Sequence, residues 1–454
     1  MLAGPKANRA TLAAATFALL AAIAFDLTPF LRGPAPYPSE WRWPLRAGAI
    51  DGWSGVQALA IGGALIGLLL VSRSSAFRRR PGAAACAMLG TATLLGAGLQ
   101  LAMLGFEPGS AADLLVARTV DPGFTSYYTV ATNEAADVRS FLDRYAERLP
   151  RLYETAHHAS THPPGAVLFY RAILSACATL PALGPPALLA PLVLMLLAAA
   201  TCWPVAALAR ALGAAPLAAA RVGVLWTLVP GPLLMVPELD GALALPVAGC
   251  AALLASGGSG WARPLAAGAV AGCALFVSYG SAAFLLVAGV AALGLDRPDP
   301  VWLARRVGLV AAGVLAVWSL PLLAGYDAIS AARTSLAIHR LEYTAPRSWP
   351  LWIGFNLWDF VVFLGLPPAW LFLRGLVGKG GDAAQRWCGI VAGGTLLLDV
   401  SGLARGEVGR LWIPLMPLLL VAGATAEHDE PTLADAGALL LASALVLRLT
   451  WIVP

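Results

Sequence analysis

Charged side chains are scarce in this chain. Only 12% of its 454 residues are Asp, Glu, Lys or Arg, whereas 59% are apolar and the mean hydropathy is +0.75. A soluble globular domain carries about 25% charged residues, so too little polar surface is available here to cover a compact particle in water. The scarcity of charge therefore argues against a soluble globular protein and predicts a membrane protein.

Cysteine is also sparse, and its placement excludes two kinds of site. The six cysteines fall within apolar runs, and no two of them have the spacing of metal ligands. They are predicted to be small buried apolar side chains. Neither a disulfide framework nor a metal site is expected, although a requirement for a divalent cation is left open. The chain also lacks a P-loop and a dinucleotide-binding fingerprint.

Apolar runs recur along the whole length, and a bilayer-spanning helix needs about 20 such residues. The short alternating segments typical of a membrane β-barrel are absent. Helices satisfy every backbone amide within their own segment, which hydrocarbon requires. The predicted fold class is therefore all-α: a polytopic integral membrane protein with about 13 transmembrane helices and an interfacial helix in an extracytoplasmic loop.

Basic residues give the predicted orientation. The sequence RSSAFRRR at residues 73–80 is the densest basic cluster, and the positive-inside rule places it in the cytoplasm. The polar stretch 105–164 is then extracytoplasmic. Three regions are predicted: a transmembrane hairpin and third span (1–104), an extracytoplasmic loop with interfacial helices (105–186) and a transmembrane bundle (187–454).

Two segments of the extracytoplasmic loop are predicted to lie at the membrane surface. In residues 134–149, apolar side chains recur at helical spacing, which suits a helix lying on a bilayer. These side chains are Val138, Phe141, Leu142, Tyr145 and Leu149. Residues 165–180 are apolar but contain Arg171, so we expect them to stay at the outer interface or to insert halfway.

The outer loops collect the candidate functional residues. Charges at the ends of spans need a partner or a function. Asp26 ends the first apolar run, and Asp121 follows the third. His162 is held in a rigid His-Pro-Pro turn, since proline fixes φ and removes a backbone donor. The other candidates are Glu238 with Asp240, and Arg405, Glu407 and Arg410, which lie within six residues of one another.

Each candidate also has a purely structural interpretation. Asp121 could cap a turn, His162 could mark an ordinary helix start, and the charges from Arg405 to Arg410 could form a salt-bridge cluster. Asp359 lies within an apolar run and is expected to be buried and paired. His157 and His158 are expected to be solvated loop residues.

Four short motifs, in this order and on one predicted membrane face, resemble those of GT-C glycosyltransferases. They are VDPGFTSYYTVA (residues 120–131), THPPGAVLFY (161–170), PELDGALALP (237–246) and SGLARGEVGRLWIPLMP (401–417). The similar enzymes include protein O-mannosyltransferases and lipid A aminoarabinose transferases. Members often carry an Asp-Glu pair in the first outer loop, whereas here Asp121 is followed by Pro122, so Asp26 could hold that place instead.

The resemblance implies a transferase of the cell membrane whose active site is extracytoplasmic. A sugar would move from a polyprenyl-phosphate donor to a glycan, lipid or protein acceptor, with inversion and without nucleic acid. Asp121 or Asp26 would be the general base. His162, Asp240, Arg405, Glu407 and Arg410 would bind substrate or the donor phosphate, for which arginine supplies a bidentate fork.

Two other interpretations stay open. Intramembrane charges and broken helices also suit a membrane transporter or lipid flippase. Against it, the halves of the chain show no internal repeat, and the charges concentrate in the outer loops. A catalytically inactive relative of the transferases would carry the same motifs.

Overall fold

The computed structural model describes residues 5–36, 40–47, 50–258, 260–295, 299–377, 382–425 and 430–453. Within these ranges every regular element is a helix, apart from one isolated antiparallel bridge between Leu45 and Trp451. The predicted all-α class is therefore confirmed for the described part of the chain.

The helices follow one another with short connections. The first ten are α1 (Pro5–Ala24), α2 (Gly52–Val71), α3 (Ser75–Arg79), α4 (Pro81–Leu104), α5 (Ala111–Val120), α6 (Tyr127–Asn133), α7 (Val138–Asp143), α8 (Tyr145–Thr155), α9 (His157–Ser160) and α10 (Gly165–Thr179). The next eight are α11 (Pro186–Ala200), α12 (Cys202–Ala211), α13 (Pro216–Trp226), α14 (Pro230–Leu234), α15 (Leu239–Ala255), α16 (Ala262–Val277), α17 (Ser281–Leu293) and α18 (Pro300–Leu323). The last seven are α19 (Ala328–His339), α20 (Trp349–Leu364), α21 (Leu366–Val377), α22 (Asp382–Ser401), α23 (Val408–Leu411), α24 (Met416–Thr425) and α25 (Glu430–Thr450).

Local chemistry fixes where the long helices begin. The carboxylates of Asp51, Asp299 and Asp327 each accept backbone N–H groups of the first turn of α2, α18 and α19. These are N-cap contacts, which satisfy donors that have no partner within the helix. Proline stands at the first turn of α4 and α11, where its missing N–H costs nothing.

Five helical segments are long and apolar enough to cross a membrane. They are α2, α4, α11 taken together with α12 (Pro186–Ala211), α18, and the part of α25 from Leu433 to Thr450. A sixth crossing results if α20 and α21, which meet at a bend of 111°, count as one span. The predicted number of about 13 is not confirmed. The remaining apolar helices have 10–17 residues, because prolines, glycines and polar turns interrupt the runs.

Arginines at one end of the bundle bind to carbonyl and hydroxyl oxygens. Arg221 donates to the Ser72 hydroxyl at 2.8 Å, and Arg306 donates to the carbonyl oxygens of Leu254 and Gly258 at 2.8 and 2.7 Å. This end contains the loop around residues 73–80, which the charge pattern predicts to be cytoplasmic. The arginines there close helix ends whose carbonyls would otherwise lack donors.

The opposite end of the bundle carries the long connections, and we call it the loop end. Hydrogen bonds join segments that are far apart in sequence. The pairs are Ser348 with Glu40, Trp43 with Asp359, Arg448 with Glu107, Asn356 with Ala404, and Arg410 with Glu238. The outer loops predicted from the sequence therefore meet at one end of the helix bundle.

The amphipathic helix predicted from residues 134–149 forms as α7 and α8, but protein covers its apolar face. Four of the five predicted side chains, Phe141, Leu142, Tyr145 and Leu149, are 0–5% exposed in a cluster that includes side chains of α9, α10 and α19, whereas Val138 at the start of α7 is 38% exposed. The prediction that this face lies on a membrane was wrong. Helical spacing of apolar side chains reveals a covered face, and lipid and protein cover such a face equally well.

Helix α10 is a 15-residue apolar helix that follows the His-Pro-Pro turn directly. Gly165 at its start lies against the backbone carbonyl of Phe276 at the end of α16, so closely that a Cβ atom would overlap it. Ala166, Val167 and Tyr170 are buried against the same cluster as α7 and α8. The glycine of this motif therefore anchors the turn against the end of α16.

Candidate functional site

Arg410 lies at the centre of a charged cluster at the loop end. Its guanidinium donates to Glu238 at 3.1 Å and to Glu407 at 3.0 Å, and its Nε lies 4.0 Å from the Asp240 carboxylate. Arg347 donates to the other oxygen of Glu407 at 3.2 Å. Three carboxylates thus share two guanidiniums, and the side chains are 7–21% exposed.

Burial and ion pairing oppose each other in this cluster. Burial raises the pKa of Glu407, but Arg410 and Arg347 lower it more, so the net pKa lies below its usual range. Burial lowers the pKa of Arg410, but Glu238, Glu407 and Asp240 outweigh it and raise that pKa. Both groups are therefore charged at neutral pH, because each charge stabilises the other.

Arg405 is held differently from Arg410. Its guanidinium donates to the backbone carbonyls of Thr344 and Arg347, both at 2.8 Å, and to that of Gly402 at 3.3 Å. Arg347 in turn donates to the Arg405 carbonyl. In the described ranges the polar contacts of the Arg405 side chain are to backbone oxygens, so no carboxylate neutralises its positive charge. Such a fixed charge is suited to an anionic ligand.

Two histidines separate the acidic from the basic part of the site. Nδ1 of His162 lies 3.1 Å from the carbonyl of His158, and the ring lies edge-to-face against Tyr127. Burial lowers the pKa of both His158 and His162 to about 4. Both rings are therefore neutral at neutral pH, and the bond at Nδ1 leaves Nε2 of His162 as an acceptor.

Two small clefts open on either side of these histidines, with cavity volumes of about 30 and 50 Å³. The acidic cleft is lined by Phe124, Thr125, Tyr127, Glu238, Asp240 and Ser278. The basic cleft is lined by His339, Tyr343, Thr344, Arg347, Arg405 and Glu407. Both share a wall made of His158, His162, Arg410 and Leu411.

A polar face of α20 holds the backbone that carries the arginines. The Asn356 side chain binds the Ala404 carbonyl at 3.0 Å and the Gly406 N–H at 3.2 Å, and Asp359 accepts the Gly409 N–H at 2.7 Å. Between these points Glu407 has a φ of 58°. Residues other than glycine rarely adopt this left-handed conformation, and it concentrates at functional sites.

Five of the seven site residues predicted from the sequence lie together around the clefts. They are His162, Asp240, Arg405, Glu407 and Arg410. The two predicted general bases lie elsewhere. Asp121 is exposed at the end of α5, where its carboxylate accepts the Gly123 N–H at 2.8 Å, which is the turn-capping alternative. It is outside the lining of both clefts.

Asp26 reaches the site only through other side chains. Its carboxylate pairs with Arg32 at 3.0 Å, and Arg32 donates to the Trp43 carbonyl at the same distance. The Trp43 indole donates to Asp359 at 2.7 Å. Asp26 therefore belongs to the support of the loop that carries Arg410, and it does not line either cleft.

Sequence reasoning missed two contributors to the clefts. His158 was expected to be a solvated loop residue, which was wrong, since it forms part of the shared wall. Tyr343 lines the basic cleft and stacks on His158 at a centroid separation of 6.5 Å. Neither residue lies in a distinctive motif, and only the packing of α9 against the turn after α19 places them at the clefts.

Asp359 is buried and paired, as predicted.

Among the described residues, no group of three or more His, Cys, Asp or Glu side chains is arranged to hold a metal ion. No protein-family model, curated protein or solved structure matches this chain.

Proposed function

We propose that the chain is a membrane glycosyltransferase that moves a sugar from a polyprenyl-phosphate donor to a hydroxyl acceptor in the paired clefts. The observation that supports it best is the separation of charge across one shared wall. Carboxylates of Glu238 and Asp240 line one cleft, and Arg347 and Arg405 line the other. A transfer of this kind needs a base for the acceptor and fixed positive charge for the leaving phosphate.

In the proposed reaction, the acceptor hydroxyl attacks the anomeric carbon of the sugar while the bond from that carbon to the phosphate oxygen breaks. Asp240 takes the hydroxyl proton, and polyprenyl phosphate leaves with both electrons of the broken bond. Asp240 replaces Asp121 as the proposed base because Asp240 lines the acidic cleft and faces Arg410. Burial raises the pKa of Asp240 to about 7 and Arg410 opposes that rise, so at neutral pH a substantial fraction of the carboxylate is ionised and can take the proton.

Arg405 is the proposed phosphate ligand. Arg410 and Arg347 are weaker candidates, because Glu238 and Glu407 occupy the Arg410 guanidinium and Glu407 also accepts from Arg347. Arg405 has backbone carbonyls as partners and keeps its positive charge for a ligand. We therefore assign the basic cleft to the donor and the acidic cleft to the acceptor.

The membrane part of the proposal is that the shorter apolar helices complete about thirteen crossings of the cell membrane, with the loop end extracytoplasmic. A helix of 16 residues such as Ala262–Val277 is about 24 Å long. This is a few ångströms less than the hydrocarbon thickness, a mismatch that local thinning of the bilayer accommodates at small cost.

The test uses purified protein in detergent with a short-chain polyprenyl phosphate as the binding probe and its sugar ester as the donor. Arg405→Gln should weaken binding of the probe. Asp240→Asn should keep binding and lose about 10²–10⁴-fold in transfer rate. Asp121→Asn is the matched control and should retain both. Transfer from a soluble nucleotide-sugar, with the lipid-linked sugar ignored, would overturn the proposal.

A transporter or lipid flippase is the second candidate, and the bend of 111° between α20 and α21 favours it. Broken helices are typical of transport sites near the middle of the bilayer. The charged clusters of this chain lie at helix ends, which favours chemistry at the surface. Counterflow of a lipid-linked sugar across proteoliposomes, with the glycosidic bond intact, would support transport.

A further inference from the structure

Helix α18 passes directly into α19 at the loop end. In the most apolar 18-residue stretch of α18, only 17% of the residues are buried in protein. Leu320 and Leu323 near the end of the helix are 74% and 81% exposed. Such a helix needs lipid around it. The link between the two helices is four residues, 324–327, which reach at most about 14 Å. Helix α19 therefore begins at the level of the membrane surface.

The two faces of α19 differ in what covers them. Ala331 and Ser335 are fully buried on the face that packs against α8. On the opposite face Ile329 and Leu336 are 66% and 53% exposed, and Leu341 just beyond the helix is 70% exposed. Burial on one face and exposed aliphatic side chains on the other describe an amphipathic helix with an uncovered apolar face.

Basic residues alternate with these apolar residues. Ile329, Arg333, Leu336 and Arg340 are spaced by four, three and four residues, so they form one stripe along the helix. Arg333 and Arg340 are exposed. In the described part of the chain, neither guanidinium has a carboxylate within ion-pair distance.

The acidic residues near α19 are engaged elsewhere. Asp327 caps the start of the helix by accepting the Ile329 and Ser330 N–H groups. Glu342 accepts the Tyr153 hydroxyl at 2.7 Å. The exposed stripe of α19 therefore combines aliphatic side chains with two positive charges, and along the chain it follows the exposed apolar end of α18.

We infer that this face of α19 binds the surface of a membrane rich in anionic phospholipids. Ile329, Leu336 and Leu341 enter the boundary between headgroups and acyl chains, while Arg333 and Arg340 extend to the phosphates. The inference does not depend on the proposed transfer chemistry. It does connect the membrane to the site, because His339 and Tyr343, which line the basic cleft, belong to α19 and the turn that follows it.

The experiment measures how closely α19 approaches lipid headgroups. The full chain, with its exposed cysteines replaced as Cys86→Ala and Cys273→Ala, receives a fluorescent probe through Leu336→Cys. The matched control is Arg151→Cys on α8, whose side chain is 72% exposed. Both proteins are placed in phosphatidylcholine nanodiscs that contain a headgroup-nitroxide lipid, with and without phosphatidylglycerol. We expect several-fold stronger quenching at position 336 than at position 151.

Phosphatidylglycerol should increase the quenching at position 336, and Arg333→Gln with Arg340→Gln should abolish that increase. Each arginine near an anionic surface contributes about a fivefold gain in partitioning. Equal quenching at positions 336 and 151 would overturn the inference. The inference would also be overturned if quenching of the probe at position 336 decreased with protein concentration and did not depend on the lipid. A second copy of the chain would then cover this face.

Discussion

Asp359 accepts the backbone N–H of Gly409 at 2.7 Å and thereby joins α20 to the short helix that carries Arg410. The same carboxylate accepts the indole N–H of Trp43 at 2.7 Å. One buried side chain thus fixes two loops that are far apart in sequence. The position of the central arginine depends on a residue that does not itself line either cleft.

Replacing Asp359 should destabilise the loop end. In Asp359→Leu, the Gly409 and Trp43 N–H groups stay buried without acceptors, and each such group costs about 1–3 kcal/mol. Asp359→Asn is the matched control, since its amide oxygen can still accept one of the two bonds. Reversible unfolding in detergent measures the free energies. A leucine variant as stable as the asparagine variant would contradict the proposed link.

The Arg410 cluster should show strong coupling between its members. Arg410→Met leaves Glu238 buried without its partner and Glu407 with Arg347 alone, and breaking a buried ion pair in this way typically costs about 3–5 kcal/mol. Adding Glu407→Gln removes one of the two carboxylates that have lost Arg410, so the double variant should lose less than the sum of the single losses. A double-mutant cycle on the free energy of unfolding measures the coupling. Additive losses would show that the two side chains do not interact.

Protonation of two histidines should lower the free energy of unfolding as the pH falls from about 6.5 towards about 4. His158 and His162 have pKa values of about 4 in the folded chain against an ordinary 6.5, because burial disfavours their charged form. Between these values the unfolded chain binds protons that the folded chain does not, which favours unfolding. Above about 6.5 these histidines contribute no pH dependence.

The histidine contribution can be separated from that of the carboxylates. Glu407 has a lowered pKa, so its contribution is present above its ordinary value of 4.5 and is lost only at lower pH. Between pH 6.5 and 5 the buried Asp240 acts with the opposite sign, because burial raises its pKa to about 7 and the folded chain binds a proton that the unfolded chain does not. The histidine contribution is therefore measured as the difference in melting temperature between variants across this window. His158→Gln with His162→Gln should remove the destabilisation that the histidines add as the pH falls, whereas His157→Gln should retain it. A double-variant profile parallel to that of the parent chain would contradict the assignment.

Gly165 should not tolerate a side chain. A methyl group there would overlap the backbone carbonyl of Phe276, which cannot move without shifting α16. Gly165→Ala should therefore lose about 1–3 kcal/mol through overpacking. Gly249→Ala is the control, because no atom of a neighbouring segment lies within 4 Å of where its methyl group would stand, and alanine favours the helix. Equal melting temperatures for the two variants would refute the packing argument.

The predicted orientation can be tested by labelling single cysteines in intact cells. Ser75→Cys lies in the basic cluster and Arg151→Cys on the exposed face of α8, and both positions are exposed. Ser126 is unsuitable, since it is fully buried and its hydroxyl accepts the Ala159 N–H at 3.0 Å. In a Cys86→Ala, Cys273→Ala background, a membrane-impermeant maleimide should label position 151 only. Labelling of position 75 alone would reverse the topology.

The sequence by itself determined the class of protein and the chemical character of its loops. Low charge and long apolar runs leave few folds other than a helical membrane bundle, and the caps at Asp51, Asp299 and Asp327 mark helix starts through purely local hydrogen bonds. Five of the seven predicted site residues lie at the clefts, because charged groups at the ends of apolar helices converge wherever those helices pack side by side.

Only the tertiary structure decided which of these charges meet and which faces are covered. Asp121 follows a helix and Asp240 lies in the first turn of one, so both are placed near a loop. Nevertheless, Asp121 caps an exposed turn, whereas Asp240 faces Arg410. Helices α8 and α19 both have an apolar face, but α8 buries its face in protein while α19 leaves Leu336 exposed. Local sequence sets the spacing of side chains along a helix, whereas neighbours distant in the chain determine whether protein or lipid covers them.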